Sequence, residues 1–81
     1  MFSYKKEDVL NAIRFFFPKE NSMDILNILC EYGKEDFHKE QNRVHLAILK
    51  LSKGDLEQLY YFRDIAKSDY RDVLYWAEYR E

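Results

Sequence analysis

Few residues of this chain could do chemistry: two histidines, one cysteine and fifteen carboxylates. His38 and His45 are seven apart. On one helix they would share nearly the same side, but seven residues rise about 10.5 Å. Two nitrogens so far apart cannot both ligate one metal at about 2 Å. Glu35-x-x-His38 matches half of a carboxylate-bridged di-iron site, which needs a second Glu-x-x-His and two more inward glutamates. The chain has no second copy. The expectation is no metal site, with partly exposed histidines beside Leu49. Cys30 has no histidine three or four residues away and sits where a helix ends. A nucleophilic thiolate wants a neighbouring base or a helix N-terminus, whereas the C-terminal end of the dipole disfavours it. Cys30 is therefore expected to be a buried, inert thiol.

The carboxylates follow the same logic. Asp69 and Asp72 stand where a helix should start, as cap and dipole partners. Asp64 and Glu78 are expected in solvated faces. Gly33 and Gly54 stand alone, so no glycine-rich loop could cradle a phosphate. No set of residues supplies nucleophile, base and charge stabiliser together. The expectation is a protein that is not an enzyme, with no catalytic residue and no cofactor.

Five helical segments would have to position these groups. The first is expected over about Tyr4 to Phe17, with Ser3 as cap. Val9, Ala12, Ile13, Phe16 and Phe17 recur at spacings of three and four. Pro18 ends it or begins the next. The second lies between Pro18 and Tyr32, with Ser22 as an alternative cap. Its stripe is Ile25, Ile28, Leu29 and Tyr32, with Leu26 and Cys30 beside it, and Gly33 is a natural left-handed terminator. The third runs from about Phe37 to Ser52, with Asp36 a candidate cap. At about 100° per residue, Phe37, Val44, Ala47, Ile48 and Leu51 share one face, while Leu46 and Leu49 fall away from it. Only Lys39, Arg43 and Lys50 define a polar strip, the pattern of a helix with neighbours on two sides. Gly54 stops it, and Asp55 with Gln58 makes a capping-box-like start for the fourth, about Leu56 to Lys67. The fourth presents Leu59, Phe62, Ile65 and Ala66 inward, with Leu56 at the edge. The fifth, about Tyr70 to Tyr79 with Ser68 or Asp69 as cap, presents Tyr70, Val73, Leu74 and Ala77.

Composition agrees with that pattern. Aromatic residues make up 17% of the 81, and Gly and Pro together number only three. A β-rich or disordered chain would need many more turn residues. The net charge is −2, split six basic to eight acidic over residues 1–40 and seven to seven over 41–81. Neither half is a basic arm or an acidic tail, so nothing favours phosphate backbones or anionic membranes. One cysteine makes no disulfide framework, and no apolar run approaches a membrane span. The start has no apolar signal core, and a cytoplasmic location is expected.

The second half carries a recognisable pattern: Arg43-Val-His-Leu-Ala-Ile-Leu-Lys-Leu-Ser-Lys-Gly-Asp-Leu, then Asp69-Tyr-Arg-Asp-Val-Leu and Ala77-Glu-Tyr. It resembles a family of small uncharacterised bacterial all-α proteins that share RVxLAILKLSxGDL … DYRDVLxxAEY. The resemblance is close over about half the chain. Elsewhere it is an outline, through Phe17-Pro18 and Tyr32-Gly33. Arg80 stands where family members often carry proline. The resemblance implies a bacterial, soluble, helical protein and brings no activity, cofactor or catalytic residue.

Two surfaces remain. The third and fourth helices, joined through Ser52-Lys53-Gly54-Asp55, have the outline of a helix-turn-helix. Asp55 and Glu57 would stand at the start of the second helix and repel DNA, so nucleic acid is the alternative reading only. The other surface is aromatic. Tyr75, Trp76 and Tyr79, with Arg71 and Asp72, lie opposite the inward face of the last helix, and Tyr60 and Tyr61 leave the core arc of the fourth. Tyr, Trp and Arg are enriched at interface hot spots. The competing possibility is that the first helix covers this face with Phe15 to Phe17. The expectations are thus one all-α domain over residues 1–81, a compact bundle of four or five short helices around a central helix at about 37–52. Its function would be non-catalytic protein–protein interaction, with a protein partner or self-association, as in an immunity- or antitoxin-like inhibitor or a small adaptor.

Overall fold

Capping and periodicity act over three or four residues, and most of the expected helices form where those local signals stand. The computed structural model describes residues 4–35 and 39–79. Among the described residues there are five α-helices and no strand: α1 (Lys6–Phe16), α2 (Ser22–Leu29), α3 (Gln41–Ser52), α4 (Leu56–Ser68) and α5 (Tyr70–Tyr79). The protein is an all-helical bundle, as its composition and periodicity imply.

The starts differ in detail. Ser3 lies outside the described residues. The carboxylate of Asp8 closes the start of α1 by accepting from the Lys5 N–H at 3.0 Å. Helix α2 is capped by Asn21 and starts at Ser22, so Pro18 does not begin it and Ser22 is not its cap. The Asn21 Oδ1 accepts from the N–H groups of Met23 and Asp24, which satisfies two otherwise orphaned donors. Helix α2 ends at Leu29 with Cys30 as cap. Gly33, with φ +125°, therefore serves the turn that follows instead of stopping the helix directly. The third helix begins at Gln41, four residues later than its pattern suggests, after Glu40 in a left-handed conformation. Asp36, Phe37 and His38, which the sequence assigns to that start, lie outside the described residues. The Asp55 carboxylate accepts from the N–H groups of Glu57 and Gln58 and caps α4. That of Asp69 accepts from the Arg71 N–H at the start of α5.

Helix α3 is the centre. Six of its twelve residues are buried: Val44, His45, Ala47, Ile48, Leu49 and Ser52. At 100° per residue they span about 200° of circumference, too wide for a single neighbour. Helices α1, α4 and α5 all pack against it. The remaining core comes from Val9, Ile13 and Phe17, from Ile25, Leu26, Leu29 and Tyr32, and from Leu59, Ala66, Val73, Leu74 and Ala77. Leu51, expected in the main stripe, is only partly buried, and Leu49, expected away from it, is fully buried. The stripe is centred closer to His45 than the apolar residues alone suggest.

The α3–α4 junction needs its glycine. Lys53 closes α3 with φ +52° and Gly54 follows with φ +84°. A Cβ at Gly54 would come within 2.7 Å of the Phe16 carbonyl oxygen. That oxygen is backbone at the end of α1 and cannot swing aside. Gly54→Ala should therefore cost about 2 kcal/mol or more, from left-handed strain plus the clash. A thermal melt should show a fall on the order of 10 °C. A melt within about 2 °C of the parent would show that the junction has slack.

Candidate functional site

The described residues carry two polar constellations and one open aromatic face. The first constellation is built on His45. It lies in the middle of α3 and is only 1% exposed, not half-solvated as its sequence position suggests. Its Nε2 is 2.9 Å from the Tyr32 carbonyl oxygen, so this nitrogen carries the proton and donates. The Tyr32 hydroxyl in turn donates to the Lys39 carbonyl at 2.7 Å. Burial pushes the Tyr32 phenol up to about 12. Burial also holds the His45 imidazole below its ordinary value. The carbonyls of Tyr32 and Leu29 favour the protonated ring and offset this only in part.

Folding brings Cys30 and His45 to one surface groove, which also touches Lys6, Leu26 and Gln41. Spacing in the sequence gives no hint of that meeting. The thiol is only partly buried, not fully as expected. The imidazole is turned to backbone carbonyls and not to a sulfur atom. His38 lies outside the described residues. Among the described residues no group of three or more His, Cys, Asp or Glu side chains is placed to hold a metal ion, and no helix is long and apolar enough to cross a membrane.

The second constellation ties α3 to α5. Arg43 and Lys50, expected as part of a polar strip, both reach across to α5. The Arg43 guanidinium donates to both carboxylate oxygens of Glu78, from Nε at 2.7 Å and from Nη2, and its Nη1 donates to Glu40 at 2.9 Å. Lys50 Nζ donates to the Ala77 carbonyl at 2.9 Å. Glu78, expected in a solvated face, is thus a structural partner. Its bonds to Arg43 hold its carboxyl below the usual range, with the guanidinium charge adding to the effect. The same bonds raise Arg43 further above its already high value. A cation at the last turn of α5 also suits the negative end of that helix dipole.

This clamp and the apolar residues of α5 hold the same side of the helix inward. Val73, Leu74 and Ala77 are buried, while Arg71, Asp72, Tyr75 and Tyr79 are exposed. Tyr75 is 57% and Tyr79 72% exposed, and their rings lie 5.6 Å apart. Helix α5 rests on α3 and α4, and α1 packs on α2 and α3. Phe17 goes into the core and Phe15 is itself 77% exposed. The first helix therefore does not put Phe15 to Phe17 over the tyrosines.

The other three candidates separate. Trp76 is half-buried, edge-on to Phe62 at 6.2 Å, and Tyr61 stands edge-on to Phe62 at 5.1 Å. Tyr61, Phe62 and Trp76 form a ring cluster bridging α4 and α5. Tyr60 lies elsewhere on α4, under the Arg63 guanidinium at 5.1 Å. Lys34 holds the Glu31 carboxylate, just beyond α2, at 2.9 Å, and Lys67 of α4 lies 4.0 Å from it. Tyr60 and Tyr61 are adjacent in sequence yet belong to different surroundings. The face that holds together is Arg71, Asp72, Tyr75 and Tyr79, flanked by Trp76 and Tyr61.

Two pH windows should appear in stability. Below about pH 6.5 the unfolded chain binds a proton that the buried His45 resists. Stability should fall from that pH downward until the folded ring itself titrates. His45→Gln, which keeps an N–H donor, should flatten this slope in denaturant titrations. A second loss, below about pH 4.5, draws on Glu78, because its paired carboxylate stabilises the fold only while charged; the exposed carboxyls of Glu31 and Asp69, lowered by Lys34 and Arg71, act in the same direction. Glu78→Gln should reduce this loss and leave the first window intact. Trp76→Ala should cost about 2 kcal/mol through lost packing on Phe62, measured in the same titrations. That is more than Tyr79→Ala, which should stay within about 0.5 kcal/mol.

Comparison of the chain with protein-family models, with curated proteins and with solved structures finds no match in any of the three, so its functional reading rests on geometry.

Proposed function

We propose that this protein is a non-catalytic protein-binding domain whose contact surface is the outer face of α5 with the adjoining edge of α4. One observation carries the reading. Tyr75 and Tyr79 stand side by side, each more than half exposed, on a helix whose other side is anchored by Arg43, Lys50 and the core. Exposed tyrosines on a fixed helix bring large apolar area and a polar tip at small entropic cost, which is the chemistry of an interface hot spot. Arg71 and Asp72 add one charge of each sign beside the rings, and Trp76 gives the flank a firm aromatic floor. A small inhibitor or adaptor that covers a site on another protein would use such a surface.

A nucleic-acid partner has less in its favour. The start of α4, which would enter a groove, carries Asp55 and Glu57, and the Asp55 carboxylate is already engaged as the helix cap. Anionic groups there oppose a phosphate backbone. Helix α3, the other half of that pair, is enclosed by α1, α4 and α5.

The double variant Tyr75→Ser/Tyr79→Ser tests the proposal without disturbing the core. Its melting temperature should stay within a few degrees of the parent, since both side chains are exposed. Capture of a protein partner by the immobilised chain should drop by roughly tenfold or more, as hot-spot truncation does. Undiminished capture would move the contact surface elsewhere. Salt-sensitive retention of mixed DNA or RNA at low ionic strength would favour the nucleic-acid reading instead.

A further inference from the structure

The outer face of α5 complements itself. Asp72, Tyr75 and Tyr79 are spaced three and four residues apart and so line one stripe of the helix, with Arg71 beside it. The stripe has a charged end and an aromatic end. In a parallel pairing of two such helices about a twofold axis, Asp72 would meet Asp72 and Arg71 would meet Arg71, with like charges opposed. In an antiparallel pairing the charged end of each helix meets the aromatic end of the other. The Tyr79 hydroxyl of each copy can then donate to the Asp72 carboxylate of the other. The Arg71 guanidinium can lie over the Tyr79 ring, the cation over the aromatic face. Among the described residues its guanidinium donates from Nε to Asp69, and its side chain is 78% exposed. Tyr75 falls near the axis and meets its own counterpart. A twofold axis makes every such contact twice.

We propose that the partner of this face is a second copy of the chain, docked through antiparallel α5 helices, with the Tyr61–Phe62–Trp76 cluster closing each flank. The proposal rests on the reading of this face as a docking surface. Size sets the strength. Tyr61, Tyr75 and Tyr79 are each more than half exposed. At roughly 200 Å² per side chain they leave on the order of 350–400 Å² open on each copy. With Arg71, Asp72 and the edge of Trp76 the pair would bury about 1,000–1,200 Å². This is the lower end for a specific interface, so the dimer is weak and concentration-dependent.

Sedimentation of the full chain from about 5 µM to about 500 µM tests this, the range spanning micromolar dissociation constants. The mass should rise from one chain toward two across the series. Tyr75→Ser/Tyr79→Ser should shift the midpoint at least roughly tenfold to higher concentration while keeping its melting temperature. Orientation has its own readout. In a Cys30→Ser background, mild oxidation of mixed Asp72→Cys and Tyr79→Cys variants should yield mostly the mixed disulfide, and Phe15→Cys should yield little dimer. Dominant Asp72→Cys homodimers would overturn the antiparallel order. A chain that stays monomeric throughout overturns self-pairing. If that monomer still captures a different protein through Tyr75 and Tyr79, the docking-surface reading survives and only the choice of partner falls. If it captures nothing, both fall.

Discussion

His45 donates its Nε2 proton to the Tyr32 carbonyl from the middle of α3, the most enclosed helix of the domain. A polar ring at that depth is tolerated only because it has a partner. The bond joins α3 to the turn after α2, two segments that share no local signal. Tyr32 is held from both ends, since its hydroxyl reaches the Lys39 carbonyl just before α3 begins. The pair thus ties together the two ends of the stretch between α2 and α3. The first helix then packs on both. The cost is sensitivity to acid, because a buried imidazole that resists protonation makes the folded state the poorer proton acceptor.

The opposite side of α3 solves a different problem. Helix α5 is ten residues long, too short to be stable alone in water. It is held by apolar packing of Val73, Leu74 and Ala77 and by two bonds near its end, Arg43 to Glu78 and Lys50 to the Ala77 carbonyl. The bidentate fork of arginine adds direction as well as energy. Once the inward side is assigned in this way, the helix has no freedom to turn its tyrosines inward. The aromatic face follows from that buried apolar side, and the bonds of Arg43 and Lys50 reinforce it.

Side-chain charge alone misleads here. Arg43, Lys50 and Glu78 have the composition of a solvated face, and all three are bonded between helices. His45 has the composition of a half-exposed position, and it is core. Trp76 has the composition of a hot spot, and part of its ring belongs to the α4–α5 packing. In each case the deciding neighbour lies on another segment, at a distance along the chain that periodicity does not sample.

The division between chain and fold follows from range. Five helices, the α3–α4 junction at Gly54-Asp55, the cap at Asp69 and the two-sided burial of α3 were legible in the residues, because caps, glycine geometry and apolar spacing act within one or two turns. The outward position of Tyr75 and Tyr79 was legible too, since it is set by the phase of Val73, Leu74 and Ala77. Whether another helix would cover that face was not. That question, together with the depth of His45, the meeting of Cys30 and His45 and the Arg43–Glu78 clamp, depends on contacts between segments far apart in the chain. Such contacts are selected by how all five apolar surfaces fit at once, and no single stretch of sequence contains that information.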